Sequence, residues 1–229
     1  MKKLIIFDCD GTLVDSEIIA SRVFTSVWRS MGLDMTEDYF LCNFVGAGND
    51  TEIVKSTLAK LPPNTMEIAD KKFDEELATN LKPVKGMTEL LVGLDHELCV
   101  ASNSSLEYVK RALATTGLSH FFGEKVYSAR DLNKPKPAPD LFLHAANELG
   151  FTPQQCLVIE DSVSGVQAAK NAHMKVIGFL GGLHCNQVVT DKLLEARADH
   201  YCRNTGDLQS FLCGGSSNFL TSSLQGHCY

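Results

Sequence analysis

Short apolar runs that stop abruptly at carboxylates or small polar residues organise this chain, and few folds accommodate them. Residues 3–7 form the first, β-branched and aromatic after an initial lysine, and runs at 98–101, 126–128, 156–159 and 175–179 follow. Runs without polar alternation are strands covered on both faces, as in a parallel sheet. Between them the periodicity predicts helices over 87–94, 106–116, 139–149 and 163–172. Gly117 and Gly150 stand where two of these need a left-handed terminus. Strand and helix alternating at this spacing predict an α/β fold, a doubly wound, Rossmann-like parallel sheet.

Residues 16–82 break the rhythm. They carry no strand pattern but three helical runs, at 18–31, 50–61 and 66–80, punctuated by Pro62 and Pro63. The expected organisation is therefore a core of 1–15 and 83–212, an all-helical insertion of 16–82 hinged at 14–16 and 82–83, and a flexible Ser- and Gly-rich tail, 213–229.

A net charge of -7 leaves no basic footprint for nucleic acid. The amino terminus lacks a signal-peptide pattern, and no stretch reaches the ~20 apolar residues that cross a bilayer. A cytoplasmic protein without a membrane partner is expected. The eight cysteines are scattered without a CxxC pair, so they read as small apolar fillers and not as zinc or redox sites.

Ligands of open parallel sheets bind beyond the carboxyl ends of the strands. Asp8 and Asp10 follow the first run, Ser102 and Asn103 the second, and Glu160 and Asp161 the fourth, while Lys136 lies in the loop before the helix that precedes the fourth. Singly, each has an ordinary explanation: Ser102, Asn103, Glu160 and Asp161 as helix caps, Lys136 as a solvated loop lysine. Together, four carboxylates at neighbouring strand ends form a negative site that a cation would neutralise. All-oxygen ligands suit Mg²⁺. Cys9 should face away from both aspartates and pack. His144, His173 and His184 have no metal-like or carboxylate-linked spacing and are expected in structural or solvent-facing roles.

The segments "DCDGTLVDS", "ASNSS", "KPAPD" and "VIEDSVSG", in this order, resemble the four motifs of the haloacid dehalogenase-like superfamily of phosphohydrolases. The branch it most resembles contains beta-phosphoglucomutase and sugar phosphate phosphatases, with a helical cap where residues 16–82 lie. The resemblance implies a Mg²⁺-dependent phosphatase of a small phosphorylated metabolite, a sugar or sugar-acid monophosphate. Asp8 would be the nucleophile and a metal ligand. Asp10 would be the general acid and base, lending its main-chain carbonyl to the metal. Asp161 would be a ligand, and Glu160 a ligand or the partner of one. Lys136, Ser102 and Asn103 would hold the phosphoryl group. Relatives of this kind are often monomers.

A phosphosugar mutase and a catalytically silent binding protein are the alternatives. Relatives often carry a cation in the segment matching 45–51, which here reads "VGAGNDT". Asn49 and Asp50 are the substrate-binding candidates there, and Lys55 or Lys72 is the cation that would compensate.

Overall fold

In a computed structural model, which describes residues 2–46 and 51–213, β1 (Leu4–Phe7) is followed by α1 (Ser16–Ser30), α2 (Glu37–Asn43), α3 (Glu52–Leu58) and α4 (Thr65–Asn80). The chain continues through α5 (Met87–Val92), β2 (Glu97–Ser102), α6 (Leu106–Thr115), α7 (Ser119–Phe122), β3 (Val126–Ser128), α8 (Ala129–Leu132) and α9 (Asp140–Glu148). It ends with β4 (Cys156–Glu160), α10 (Val163–Asn171), β5 (Lys175–Phe179), α11 (Gln187–Glu195), β6 (His200–Cys202) and α12 (Thr205–Cys213).

All strand pairs are parallel, and the sheet order is β3-β2-β1-β4-β5-β6. The chain builds outward from β1 on one side, then returns to build outward from β4 on the other. The reversal opens a crevice beyond the carboxyl ends of β1 and β4, the place where such sheets take ligands.

Alternate residues of each strand feed opposite cores. Ile5, Phe7, Leu98, Val100, Leu157 and Ile159 pack with residues of α5, α6, α7 and α12. Leu4, Ile6, Cys99, Ala101, Cys156 and Val158 pack with α9 and α10. Double coverage explains why the strands read as continuous apolar runs. Cys9 joins the first core, and the seven described cysteines are all free thiols.

A third core belongs to the helices between 16 and 80. Trp28 is 1% exposed among Val27, Met35, Phe40 and Ala69, with Phe24, Phe44 and Phe73 around it. Its ring meets Phe44 edge-on at 5.1 Å between centroids, and Phe40 stacks on Phe44 at 5.2 Å. Among the described residues this segment contains no strand. It leaves and rejoins the sheet through touching backbone: Asp15 N donates to Lys82 O at 3.0 Å, Val84 N donates to Leu13 O at 3.0 Å, and Val14 bridges Pro83.

Five helices and one strand went unforeseen. β6 is too short and polar to show a pattern, since only Cys202 of its three residues is buried. α2 carried a signal, because Thr36 before two acids accepts from Tyr39 N as an N-cap. Likewise Asn186 caps α11 by accepting from Val189 N. Helices α7 and α8, of four residues each, are single turns, and α12 lies within the expected core up to its last residue, Cys213, where the expected tail begins. Asn49, Asp50 and residues 214–229 lie outside the described residues. No helix among those described is long and apolar enough to cross a membrane.

Candidate active site

β1 delivers Asp8 and β4 delivers Glu160 and Asp161 to the same crevice, and all three are buried. One carboxylate oxygen from each lies within 4.8 Å of the others. Lys136 Nζ enters this acidic group from the loop between α8 and α9. It ion-pairs with Asp8 Oδ1, with Glu160 Oε1 at 2.6 Å, and donates to Ala101 O at 2.8 Å. Burial alone would lower the lysine pKa, but Asp8 and Glu160 outweigh it and raise it above the ordinary value. Burial pushes the Asp8 carboxyl well above its usual range; Lys136 opposes this, while Glu160, Asp161 and Asp10 add to it. Glu160 is raised in the same way, by burial first.

The ordinary explanation of these residues as helix caps does not hold, because neighbouring serines do the capping. Ser105 caps α6 by accepting from Tyr108 N, which frees Ser102 and Asn103. Ser102 Oγ accepts from Ser104 N at 3.0 Å, and Asn103 Oδ1 accepts from Lys136 N at 2.9 Å, so the β2 loop grips the lysine's backbone. Ser162 caps α10, and its hydroxyl donates to Glu160 Oε2 at 2.9 Å. Glu160 therefore runs beneath the first turn of α10. A Cβ at Gly165 would fall 1.8 Å from its Cδ, which leaves only glycine for that position in "EDSVSG".

Asp10 stands apart from the acidic group. Its Oδ1 accepts from Ser16 Oγ and Tyr108 Oη, each at 2.7 Å, and its Oδ2 from Ser104 Oγ at 2.7 Å. The ligand role that the sequence resemblance implies for Asp10 belongs to its main-chain carbonyl and not to this hydroxyl-bound side chain. Tyr108 and Ser104 were not foreseen; they are close to Asp10 in space and more than ninety residues away in sequence.

His184 is not solvent-facing, and it has a carboxylate partner that its spacing in the sequence did not signal. Its Nε2 lies 2.9 Å from Asp161 Oδ2, and both side chains are buried. Chain separation hid the pair. His144 does pack structurally, edge-on to Tyr127 at 5.6 Å.

A pocket of about 650 Å³ opens over these groups, lined also by Val45, Gly46, Arg130 and Glu17. Lys72 is not there; it lines a larger groove between α1 and α4 that contains none of the acidic group. Nor does Lys55 line the pocket. Across the pocket, Ser164 Oγ donates to Gly46 O at 3.1 Å, joining the chain after α2 to the first turn of α10.

Burial, reinforced by Asp10 and Asp161, pushes the Glu17 carboxyl up to about 8. The unfolded chain gives up this proton near 4.5, the folded chain only near 8, so folding loses stability as pH rises between the two. Glu17→Gln is expected to remove that loss. Its thermal midpoint in EDTA should exceed that of wild type by a margin that grows from pH 5 to pH 8, and a constant difference would contradict the assignment.

Residues 5–179 match the haloacid dehalogenase-like hydrolase family. The chain belongs to that family. It is 30% identical over 197 residues to the 6-phosphogluconate phosphatase of Escherichia coli, covering 82% of this chain and 87% of that one. It is 32% identical over 187 residues to hexitol phosphatase B of the same organism, covering 75% and 81%. A solved haloacid dehalogenase-like protein of unknown function from Agrobacterium tumefaciens superposes with a TM-score of 0.85 at 34% identity, covering 93% of this chain and 99% of that one.

The buried oxygen donors fit a hard divalent cation. Asp8, Glu160 and Asp161 supply carboxylates only, with neither thiolate nor imidazole among them.

Proposed function

We propose that this chain, a phosphoric monoester hydrolase by its family and relatives, releases phosphate from a sugar or sugar-acid monophosphate using Mg²⁺ and a phosphoaspartyl intermediate. The observation that carries the reading is the buried Asp8 paired to Lys136 beside Glu160 and Asp161, with a second carboxylate, Asp10, held separately by hydroxyls.

Asp8 attacks phosphorus as the bond to the leaving oxygen breaks, and Asp10 gives that oxygen its proton. Water then attacks the acyl phosphate, Asp10 takes the water's proton, and Asp8 is regenerated with inorganic phosphate. Lys136 opposes the upward shift of the Asp8 carboxyl and offsets its repulsion for an incoming phosphate dianion. Ser102 and Asn103 line the same pocket and hold phosphoryl oxygens. Asp8 and Asp161, with Glu160 beside them, would hold Mg²⁺, which supplies charge neutralisation for the transferring phosphoryl group. Residues 16–82 act as the cap that excludes water, with Glu17 and Gly46 facing the substrate. Asn49 remains a proposed contact from the same segment.

The test is phosphate release from a panel of sugar, sugar-acid, hexitol, glycolate and nucleotide monophosphates, with Mg²⁺ and with EDTA. Release that requires Mg²⁺ and favours sugar or sugar-acid esters is the expected result. Isomer formation that requires a bisphosphate primer would assign a mutase instead, and no turnover of any ester would remove the proposal.

A further inference from the structure

We infer that His184 is a positioning residue that fixes the Asp161 carboxylate in the orientation needed to receive a divalent cation. The inference rests on the proposed role of Asp161 as a metal ligand.

Both Asp161 oxygens are held by side chains from distant loops. Thr12 Oγ1, after β1, donates to Oδ1 at 2.8 Å, and His184 Nε2, after β5, lies 2.9 Å from Oδ2. A carboxylate accepts only, so the imidazole proton sits on Nε2. Each oxygen keeps a lone pair for a cation, while the two donors remove the freedom of the carboxylate to rotate away.

The surroundings are shaped around the ring. His184 is 1% exposed, its Nδ1 has no hydrogen-bond partner, and its Nε2 meets Asp161 Oδ2 at 2.9 Å with Cys185 Sγ at 3.5 Å, so the shorter contact of the buried imidazole is the one to the carboxylate. A Cβ at Gly11 would fall 2.2 Å from Asp161 Oδ2 and 2.6 Å from His184 Cε1. A Cβ at Gly182 would fall 2.7 Å from His184 Cε1 and Nδ1. Two glycines thus clear the space in which carboxylate and ring meet.

The loop is anchored on both sides of the histidine. Leu183 N donates to Asp15 Oδ1 at 2.8 Å, and Asn186 N donates to His184 O at 2.8 Å before its own side chain caps α11. The ring is assigned no ligand role, because Nε2 carries the proton given to Asp161 and Nδ1 lies on the side where a Cβ at Gly182 would come within 2.7 Å. Partners that orient a ligating carboxylate change metal affinity by about 10- to 100-fold when removed.

The experiment measures Mn²⁺ binding to substrate-free protein from the electron paramagnetic resonance signal of the free ion. It compares wild type, His184→Met and His184→Gln, whose amide nitrogen reaches the position of Nε2. The expected result is a dissociation constant raised about 10- to 100-fold in the methionine variant and restored to within about threefold by glutamine. At saturating Mg²⁺ the turnover lost by the methionine variant should return, because the defect lies in metal affinity.

Equal Mn²⁺ affinity in wild type and His184→Met would overturn the inference, as would a glutamine variant as weak as the methionine one. Wild type that binds no Mn²⁺ would overturn the metal reading itself and this inference with it. Should His184→Met fail to fold, ¹⁵N-histidine spectra of wild type decide, with His184→Gln identifying the resonance. The His184 Nε2 signal must move with Mg²⁺ along the binding curve, and a signal that stays still refutes the role.

Discussion

Lys136→Met is expected to lower the unfolding free energy of the metal-free protein by about 3–5 kcal/mol at pH 8, the cost of stranding buried charge. The ammonium sits 2% exposed and ion-pairs with two carboxylates that are themselves buried, while Ala101 O takes its third donor direction. Methionine fills the volume beside Phe142, whose ring centroid lies 4.9 Å from Nζ, but supplies no charge. Asp8 and Glu160 already have raised pKa values with the lysine present, and without it they rise further. Their ionised forms then cost more as pH increases, so the deficit should shrink toward pH 5, where they accept protons. Urea unfolding in EDTA at pH 5 and pH 8 measures both the loss and its slope. Phosphate release should fall by about 10²-fold or more. A variant as stable as wild type at pH 8 would mean that the carboxylates do not depend on this ammonium.

Asp8→Asn is expected to show the opposite pairing of effects. Release of phosphate should drop by about 10³-fold or more, as for other removed nucleophiles, while the metal-free protein stays as stable as wild type or becomes more so. The sign follows from the raised pKa: an ionised Asp8 is a net cost to the fold at every pH above the ordinary carboxylate value, and asparagine carries no such cost. Lys136 keeps Glu160 as its partner. Mg²⁺ at about a hundred times its dissociation constant should stabilise wild type by about 2.7 kcal/mol, and the asparagine variant by much less. Thermal midpoints with and without Mg²⁺, alongside phosphate release, test the pairing. Retained turnover would exclude Asp8 as nucleophile. These two substitutions remove opposite partners of one ion pair, so they are coupled and should not add.

What the sequence made legible was everything tied to a strand end. Asp8, Ser102, Glu160 and Asp161 stand where an apolar run stops, and parallel strands carry such residues to one edge of a sheet. Lys136 was legible through its motif, although the reason for its burial, two acidic partners, is tertiary. Tyr108, Ser104, Thr12 and His184 were not legible, because each acts singly and reaches its carboxylate across the fold, as Thr12 does over 149 residues of chain. The position of Glu17 in the first turn of α1 resembles an ordinary helix-start acid, and only the pocket distinguishes it. β6 escaped notice because two of its three residues are not fully buried and an edge strand needs little apolar pattern.

The adjacency of the two crossings at Asp15 and Lys82 has a consequence for how such molecules diversify. Hydrogen-bonded neighbours of this kind lie about 5 Å apart, so a few residues would suffice to close the gap left by excising everything between them. Among the described residues, the sheet whose strand ends present Asp8 and Asp161 draws its strands entirely from outside that stretch, and the loop bearing Lys136 lies outside it too. A different helical unit could be grafted at the same two peptides, provided it kept a hydroxyl where Ser16 donates to Asp10, and present a new recognition surface to the strand-end carboxylates.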